Sequence, residues 1–293
     1  MNNLQVPFNG LILSICIVSY KRPAYLRLCL DSIAVSLRHL EPKTYEVLVS
    51  DDCPNQSALQ VVNDYDFTKW IPGPCRGVAA NRNNVVNAAT GEWILFIDDD
   101  EIADQDWLLF YKQAIISGKY DVLEGRVQPT NFPDSILWYA PSISSGGAYC
   151  TANMAIRRST FQKLGGFDET FSVSHEDVDF GLRIRNAGCC SLYIQQAVVF
   201  HPARRYTFKQ VWNRLLDLQC QSYFTHFKPP YNFTFVHLFR LISFSIKYWF
   251  RITRFEISGR QGHQWRRQLQ AMVLLTFSSP VATIRLFNAH LEG

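Results

Sequence analysis

Three consecutive aspartates, Asp98-Asp99-Asp100, close the apolar run Trp93-Ile-Leu-Phe-Ile97. Adjacent carboxylates repel one another, and a divalent cation with oxygen ligands relieves that repulsion; Mg2+ or Mn2+ is the natural choice. A solvated acidic turn that caps the next helix through Asp104 is the competing explanation. A second acidic group, His175-Glu176-Asp177-Val178-Asp179, precedes Leu182, Ile184, Arg185 and Gly188 and so reads as the opening turn of a helix. The helix dipole favours carboxylates there, and Ser174 with Asp177 has the spacing of a capping box. Two further polar groups, Ser19-Tyr20 and Asp51-Asp52, also end apolar runs, and Asn81, Arg82 and Asn83 are unusually polar for a packed helix. His201 closes Val198-Val-Phe200, either as a surface residue at a strand end or as a ligand. Gly146 and Gly147 either form a turn or let the backbone approach a bound molecule.

Positioning these groups falls to alternating strands and helices. Leu11–Val18 is a continuous apolar run rich in β-branched residues and ended by Tyr20-Lys21-Arg22, which reads as a buried parallel strand. Pro23 suits the first turn of the helix that follows, with Leu26, Leu30, Ile33 and Leu37 at helical spacing. The unit repeats as Tyr45–Val49 with a helix near Gln56–Tyr65, and as Trp93–Ile97 with a helix near Asp104–Ser117. Gly77–Ala89 reads as a helix and Tyr120–Val127 as a strand. Such alternation predicts a mostly parallel sheet flanked by helices, with ligands beyond the carboxyl ends of the strands. The three strand-end clusters therefore face one crevice.

Composition narrows the function. With 293 residues, 47% hydrophobic and 18% charged, the chain has apolar material for one large domain or two modest ones. Eight cysteines without a CxxC pair fit a reducing cytoplasm. Met1–Gly10 lacks the basic start of a signal sequence, and Arg240 and Lys247 break the apolar stretch 235–252, so neither export nor a membrane span is expected. Residues 201–293 carry thirteen Lys/Arg against Asp217, Glu256 and Glu292, a net of +10 in a chain whose total is +4. Chemistry on an acidic first part, and docking to something anionic on a basic, aromatic second part, is the division this implies.

The motifs Ser14–Tyr20, Val49–Asp52, Gly77–Asn83, Gly91–Asp100, Gly165–Glu169 and His175–Asp179 stand in the order found in family 2 glycosyltransferases of the GT-A fold, which residues 12–202 resemble. The resemblance implies an α/β catalytic domain over 1–205, with a Rossmann-like nucleotide half at about 11–127 and an acceptor half at about 128–205. A helical region follows over 206–293. It implies transfer, with inversion, from a UDP, GDP or dTDP sugar to a hydroxyl acceptor in polysaccharide, lipopolysaccharide or glycolipid synthesis. Ser19, Tyr20, Asp52, Arg82, Asp98 and Asp99 line the donor nucleotide by this resemblance. Tyr20 lies beside base or ribose, Asp52 near the base, and Arg82 at the diphosphate. Asp98 and Asp100 are the outer carboxylates of a DxD motif, with Asp99 at its variable position. Asp98, Asp100 and His201 are the implied ligands of Mn2+ or Mg2+, and Asp177 is the general base. Glu176, Asp179 and Gly147 lie on the acceptor side, where the two carboxylates bind acceptor or hold the turn.

Beyond Tyr206 only residue chemistry speaks. Arg240, Lys247, Arg251 and Arg254 share one face if 235–255 is helical, among Phe239, Phe244, Trp249 and Phe250. Such a helix suits the anionic cytoplasmic face of a membrane, or packs on the catalytic domain with its basic ends in water. Nucleic acid is not an expected partner, since the basic tail carries no recognition motif. A nucleotidylyltransferase is the enzyme rival, but Tyr20-Lys-Arg-Pro23 lacks the glycines its loop requires. A catalytically inactive sugar-nucleotide-binding protein is the rival of another class, against which intact Asp98, Asp100 and Asp177 argue.

Overall fold

In a computed structural model, residues 13–130, 137–171, 176–207 and 210 are described. Of the expected helical region 206–293 only residues 206, 207 and 210 are among them, and the basic stretch 235–255 lies outside. The chain divides into two compact units, one of residues 1–130 with 141–202 and one of residues 131–140 with 203–293.

The first unit opens with β1 (Leu13–Ser19), α1 (Pro23–Ser36), β2 (Tyr45–Asp51), α2 (Leu59–Asn63) and β3 (Thr68–Pro72). Next come α3 (Val78–Ala88), β4 (Trp93–Asp98), β5 (Ile102–Ala103), α4 (Trp107–Ile116) and β6 (Val122–Thr130). In the second unit, β7 (Trp138–Tyr139) pairs antiparallel with a strand described below. The first unit resumes with β8 (Asn153–Arg157), α5 (Arg158–Lys163), α6 (Glu176–Asn186) and β9 (Ser191–Pro202). The partner of β7 in the second unit is β10 (Arg204–Arg205).

The eight-stranded sheet has the order β3-β2-β1-β4-β8-β6-β9-β5. From β3 to β4 every pair is parallel, as the apolar runs predict. β8 runs antiparallel between β4 and β6, and β5 antiparallel beside β9. Alternate residues of each strand enter two cores. Ile15, Ile17, Val49 and Leu95 pack with Leu26, Leu30 and Ile33 of α1, while Cys16, Leu48 and Phe96 pack with Val85 of α3 and Phe180 of α6. Each buried side chain of this size contributes about 1.5–3 kcal/mol, so a sheet covered on both faces brings its strand ends near one another.

One irregularity matters to the site. β6 pairs parallel with β9, but the register jumps between Gly125 and Arg126, from Ile194 to Val198, leaving a bulge in β9. Asn153 fills it. Its Nδ2 donates to Arg126 O and Ala197 O, both at 2.9 Å, while its Oδ1 accepts from Trp107 Nε1 and Tyr111 OH, both at 2.8 Å. A Cβ on Gly125 would stand 2.2 Å from that amide nitrogen, so only glycine admits it. Past the bulge β9 pairs with β5, Ile102 opposite Phe200, which delivers His201 beside the residues preceding Ile102.

Asn153→Ala should lower stability by roughly 3 kcal/mol, because it orphans buried partners on three elements at once. A guanidinium melt checks this: the midpoint should fall, and an unchanged midpoint would contradict the role given to Asn153.

Candidate active site

The site is built on adjacent strand ends. The backbone N–H of Asp52 donates to Ser19 O at 2.9 Å, and the Ser19 hydroxyl donates to Asp99 Oδ2 at 2.8 Å, so the termini of β2, β1 and β4 are joined in sequence. Asp51 turns inward to accept from the Cys53 and Ala58 amides at 3.1 and 2.7 Å. Asp52 accepts from the Cys75 and Gly77 amides at 2.6 and 2.9 Å, which draws the loop before α3 over the end of β2. Gly77, at φ 98°, has the backbone freedom that this approach requires. Tyr20 is 49% exposed, with Lys21 Nζ 4.8 Å from its ring centroid.

The acidic triplet separates into three environments. Asp98 Oδ1 accepts from Arg82 Nη2 at 2.7 Å. Asp99 Oδ1 accepts from Arg22 Nη1 at 2.9 Å, and Asp100 Oδ1 lies 3.5 Å from the same nitrogen. On its other side Asp100 Oδ2 is 3.4 Å from His201 Nε2. Asp100 and His201 are both buried. Burial raises the Asp98 carboxyl, but the charge and hydrogen bond of Arg82 outweigh it and hold the group below the ordinary aspartate range. Glu101, fully buried, behaves oppositely: burial first, then the charge of Asp98, pushes its carboxyl well above the usual range. Burial thereby disfavours a fourth negative charge in the cluster.

Arg82 is buried, and its second contact, from Nη1, is with Glu176 Oε1 at the start of α6. Burial opposes its charge, yet Asp98, Glu176 and Asp177 together raise its pKa. Beside Glu176, Asp177 is half-buried and accepts from the Val178 amide at 2.8 Å. Ser174 and His175 lie outside the described residues.

Asp179 and Gly147 are each held by an arginine. Asp179 pairs with Arg183 Nη2 at 2.7 Å, and Arg183 Nη1 donates to Leu164 O and Gly166 O at 2.7 and 2.6 Å, which holds the end of α5. Gly147, at φ 92°, donates to Glu124 Oε1 at 2.7 Å and accepts from Arg185 at 2.8 Å. The Tyr149 amide donates to the other Glu124 oxygen at 2.6 Å. Sequence reading missed Arg22, Glu101, Glu124 and Asn153. The available signals were a cation two residues past Tyr20, a fourth acid after the triplet, and polar residues inside the apolar segments of β6 and β8.

With this geometry established, residues 14–180 match the family model described as Glycosyl transferase family 2, more than half of the chain. The chain belongs to glycosyltransferase family 2. Among curated relatives, the O-antigen biosynthesis protein RfbC of Myxococcus xanthus is 28% identical over 230 residues, covering 68% of this chain but only 18% of that one. S. aureus TarS 1-349, solved in complex with UDP-GlcNAc, superimposes with a TM-score of 0.57 at 20% identity over 94% of this chain and 84% of that one. The mannosyltransferase PcManGT from Pyrobaculum calidifontis, in complex with GDP-Man and Mn2+, does so with a TM-score of 0.57 at 16% identity over 98% and 75%. At such identities the family member shares their fold. No described helix is long and apolar enough to cross a membrane.

Glu124→Ala should release the 146–149 turn. Hydrogen exchange at the Gly147 and Tyr149 amides is expected to quicken by about tenfold or more, corresponding to the loss of roughly 1.5 kcal/mol of local protection. Unchanged exchange would show that the turn is held by other contacts.

Proposed function

We propose that this family 2 member transfers a sugar from a nucleoside-diphosphate donor to a hydroxyl acceptor with inversion. The observation that carries the reading is Arg82, which joins the strand-end Asp98 to Glu176 and so brings the donor motif and the helix of Asp177 together. The nucleotide is assigned to the ends of β1, β2 and β4, along Ser19, Tyr20, Asp52, Arg82, Asp98 and Asp99. The family neighbours solved with UDP-GlcNAc and with GDP-Man support a nucleotide sugar of this class.

Among the described residues no three His, Cys, Asp or Glu are gathered to hold a metal ion by themselves. Asp100 and His201 nevertheless offer an oxygen and a nitrogen 3.4 Å apart. Mg2+-like ions usually take one or two protein carboxylates and complete their shell with substrate phosphates and water, so the pair fits such an ion. Asp98 would join from the edge, though its Oδ1 already receives Arg82. The neighbour named with Mn2+ supports the same choice. When bound, the ion supplies positive charge to the departing diphosphate.

The remaining work belongs to the chain. Arg82, fixed between two carboxylates, presents a second positive charge toward the diphosphate without having to reorganise during reaction. Asp177, in the first turn of α6, accepts the acceptor's hydroxyl proton. Asp179 and Gly147, each held by an arginine, shape the acceptor side. A single displacement assisted by one base inverts the anomeric centre. The relative named for O-antigen biosynthesis supports a saccharide acceptor, lipid-linked or polymeric. Residues 206–293 are assigned to a separate basic region that meets an anionic membrane on its cytoplasmic face.

Asp177→Asn keeps the shape of the turn and removes the base. Turnover of the donor accepted from a panel of UDP, GDP and dTDP sugars should fall by about 10² or more, with donor affinity near wild type. Ordinary turnover in this variant would return Asp177 to a helix-capping role.

A further inference from the structure

Glu176 is the first residue of α6, only 4% exposed, and its Oε1 receives Arg82. Its other oxygen, Oε2, is buried with no hydrogen-bond partner among the described residues. Asp98, on the far side of the same guanidinium, is the last residue of β4. One cation is thus buried between two carboxylates that belong to a strand end and a helix start. Such a trio is rarely a gain in stability over apolar packing, although removing one member strands the others. What the trio does provide is geometry: α6 has a charged tether to the sheet at the residue immediately before Asp177. A planar guanidinium with two fixed N–H directions sets distance and angle together, which a lysine cannot do.

Two roles are open to Glu176, contact with the acceptor or restraint of the turn. Its burial and its engagement by Arg82 favour restraint. Burial, with the charges of Asp177 and Asp98 behind it, raises the Glu176 carboxyl against the pull of Arg82, whose guanidinium is its side-chain partner. Asp177 has no comparable anchor of its own, since its one described hydrogen bond is to the adjacent Val178 amide.

We propose that Glu176 is a positioning residue, which acts through Arg82 to fix the base Asp177 relative to Asp98 and does not itself bind acceptor. This rests on the proposed reaction.

Slow hydrolysis of UDP-GlcNAc and of GDP-mannose, with water in place of the acceptor, separates the two roles, because a residue that only binds a saccharide acceptor has no part in it. In the full chain with Mn2+, Glu176→Gln should lower kcat for hydrolysis by about 10- to 100-fold while donor KM stays within about twofold. Arg82→Lys should lower kcat at least as much, since Arg82 also faces the diphosphate, and the double variant should be little worse than Arg82→Lys alone, since Glu176 acts through that residue. Wild-type hydrolysis in Glu176→Gln, or multiplied losses in the double variant, would overturn the assignment. A melting temperature held within a few degrees shows that the losses are not unfolding. Amide exchange along 180–183 of α6 gives a second readout that needs no turnover: it should quicken in Glu176→Ala, and unchanged exchange would also overturn the proposal. If the wild type hydrolyses neither donor and Asp177→Asn changes nothing, the proposed reaction fails, while the exchange result still decides whether the tether exists.

Discussion

The charge balance around Arg82 is the constraint on which the rest of the site depends. Asp98, Asp99, Asp100, Glu101 and Glu176 crowd the end of β4 and the start of α6, and all but Asp98 are buried. Such a density of carboxyls survives only if some are neutral and the others face cations. The fold does both: Glu101 is driven toward its neutral form by burial, Arg82 takes Asp98 and Glu176, and Arg22 lies against Asp99 and Asp100. Breaking a buried pair of this kind by removing one partner is strongly unfavourable, so each cation constrains several elements at once. Arg82 comes from α3, Arg22 from the residue before α1, and their partners from β4 and α6. The charges therefore knit together segments that the hydrophobic cores only place near one another.

His201 depends on a different constraint. It reaches Asp100 because β9 carries a bulge opposite Gly125 and then pairs with the two-residue β5 that follows the acidic turn. Asn153 stabilises the bulge with side-chain bonds to two strands and to α4, so a residue of β8 governs whether the His201 ring stands beside the Asp100 carboxylate. Bulges commonly serve to re-aim a side chain near a functional site.

Much of this was legible in the sequence. Apolar runs ending in polar clusters identified β1, β2 and β4, and helical spacing after Pro23 identified α1, because periodicity and length are local properties. The strand ends converge as that alternation predicts, and Arg82, Asp98, Asp99, Asp100 and His201 are drawn into one network. Harder to see were β3 and β8. Thr68–Pro72 is a short edge strand ending in proline, and Asn153–Arg157 begins with a polar residue whose partners are supplied only by the tertiary fold. Pairings between distant residues left no local trace: nothing near Glu124 reveals that it will hold Gly147, or near Asp179 that it will hold Arg183. The same holds for the direction of β8, which runs against its neighbours although the surrounding pattern reads as parallel.

If the acidic strand end is a metal-assisted site for a nucleoside diphosphate, calorimetric titration of UDP, GDP and dTDP into the full chain will show it, with Mn2+, with EDTA, and with Asp100→Ala in Mn2+. One of the three nucleotides should bind in Mn2+ and lose about tenfold or more in affinity on chelation or in Asp100→Ala, a change of at least about 1.4 kcal/mol. Equal affinity for that nucleotide in Mn2+ and in EDTA would contradict it.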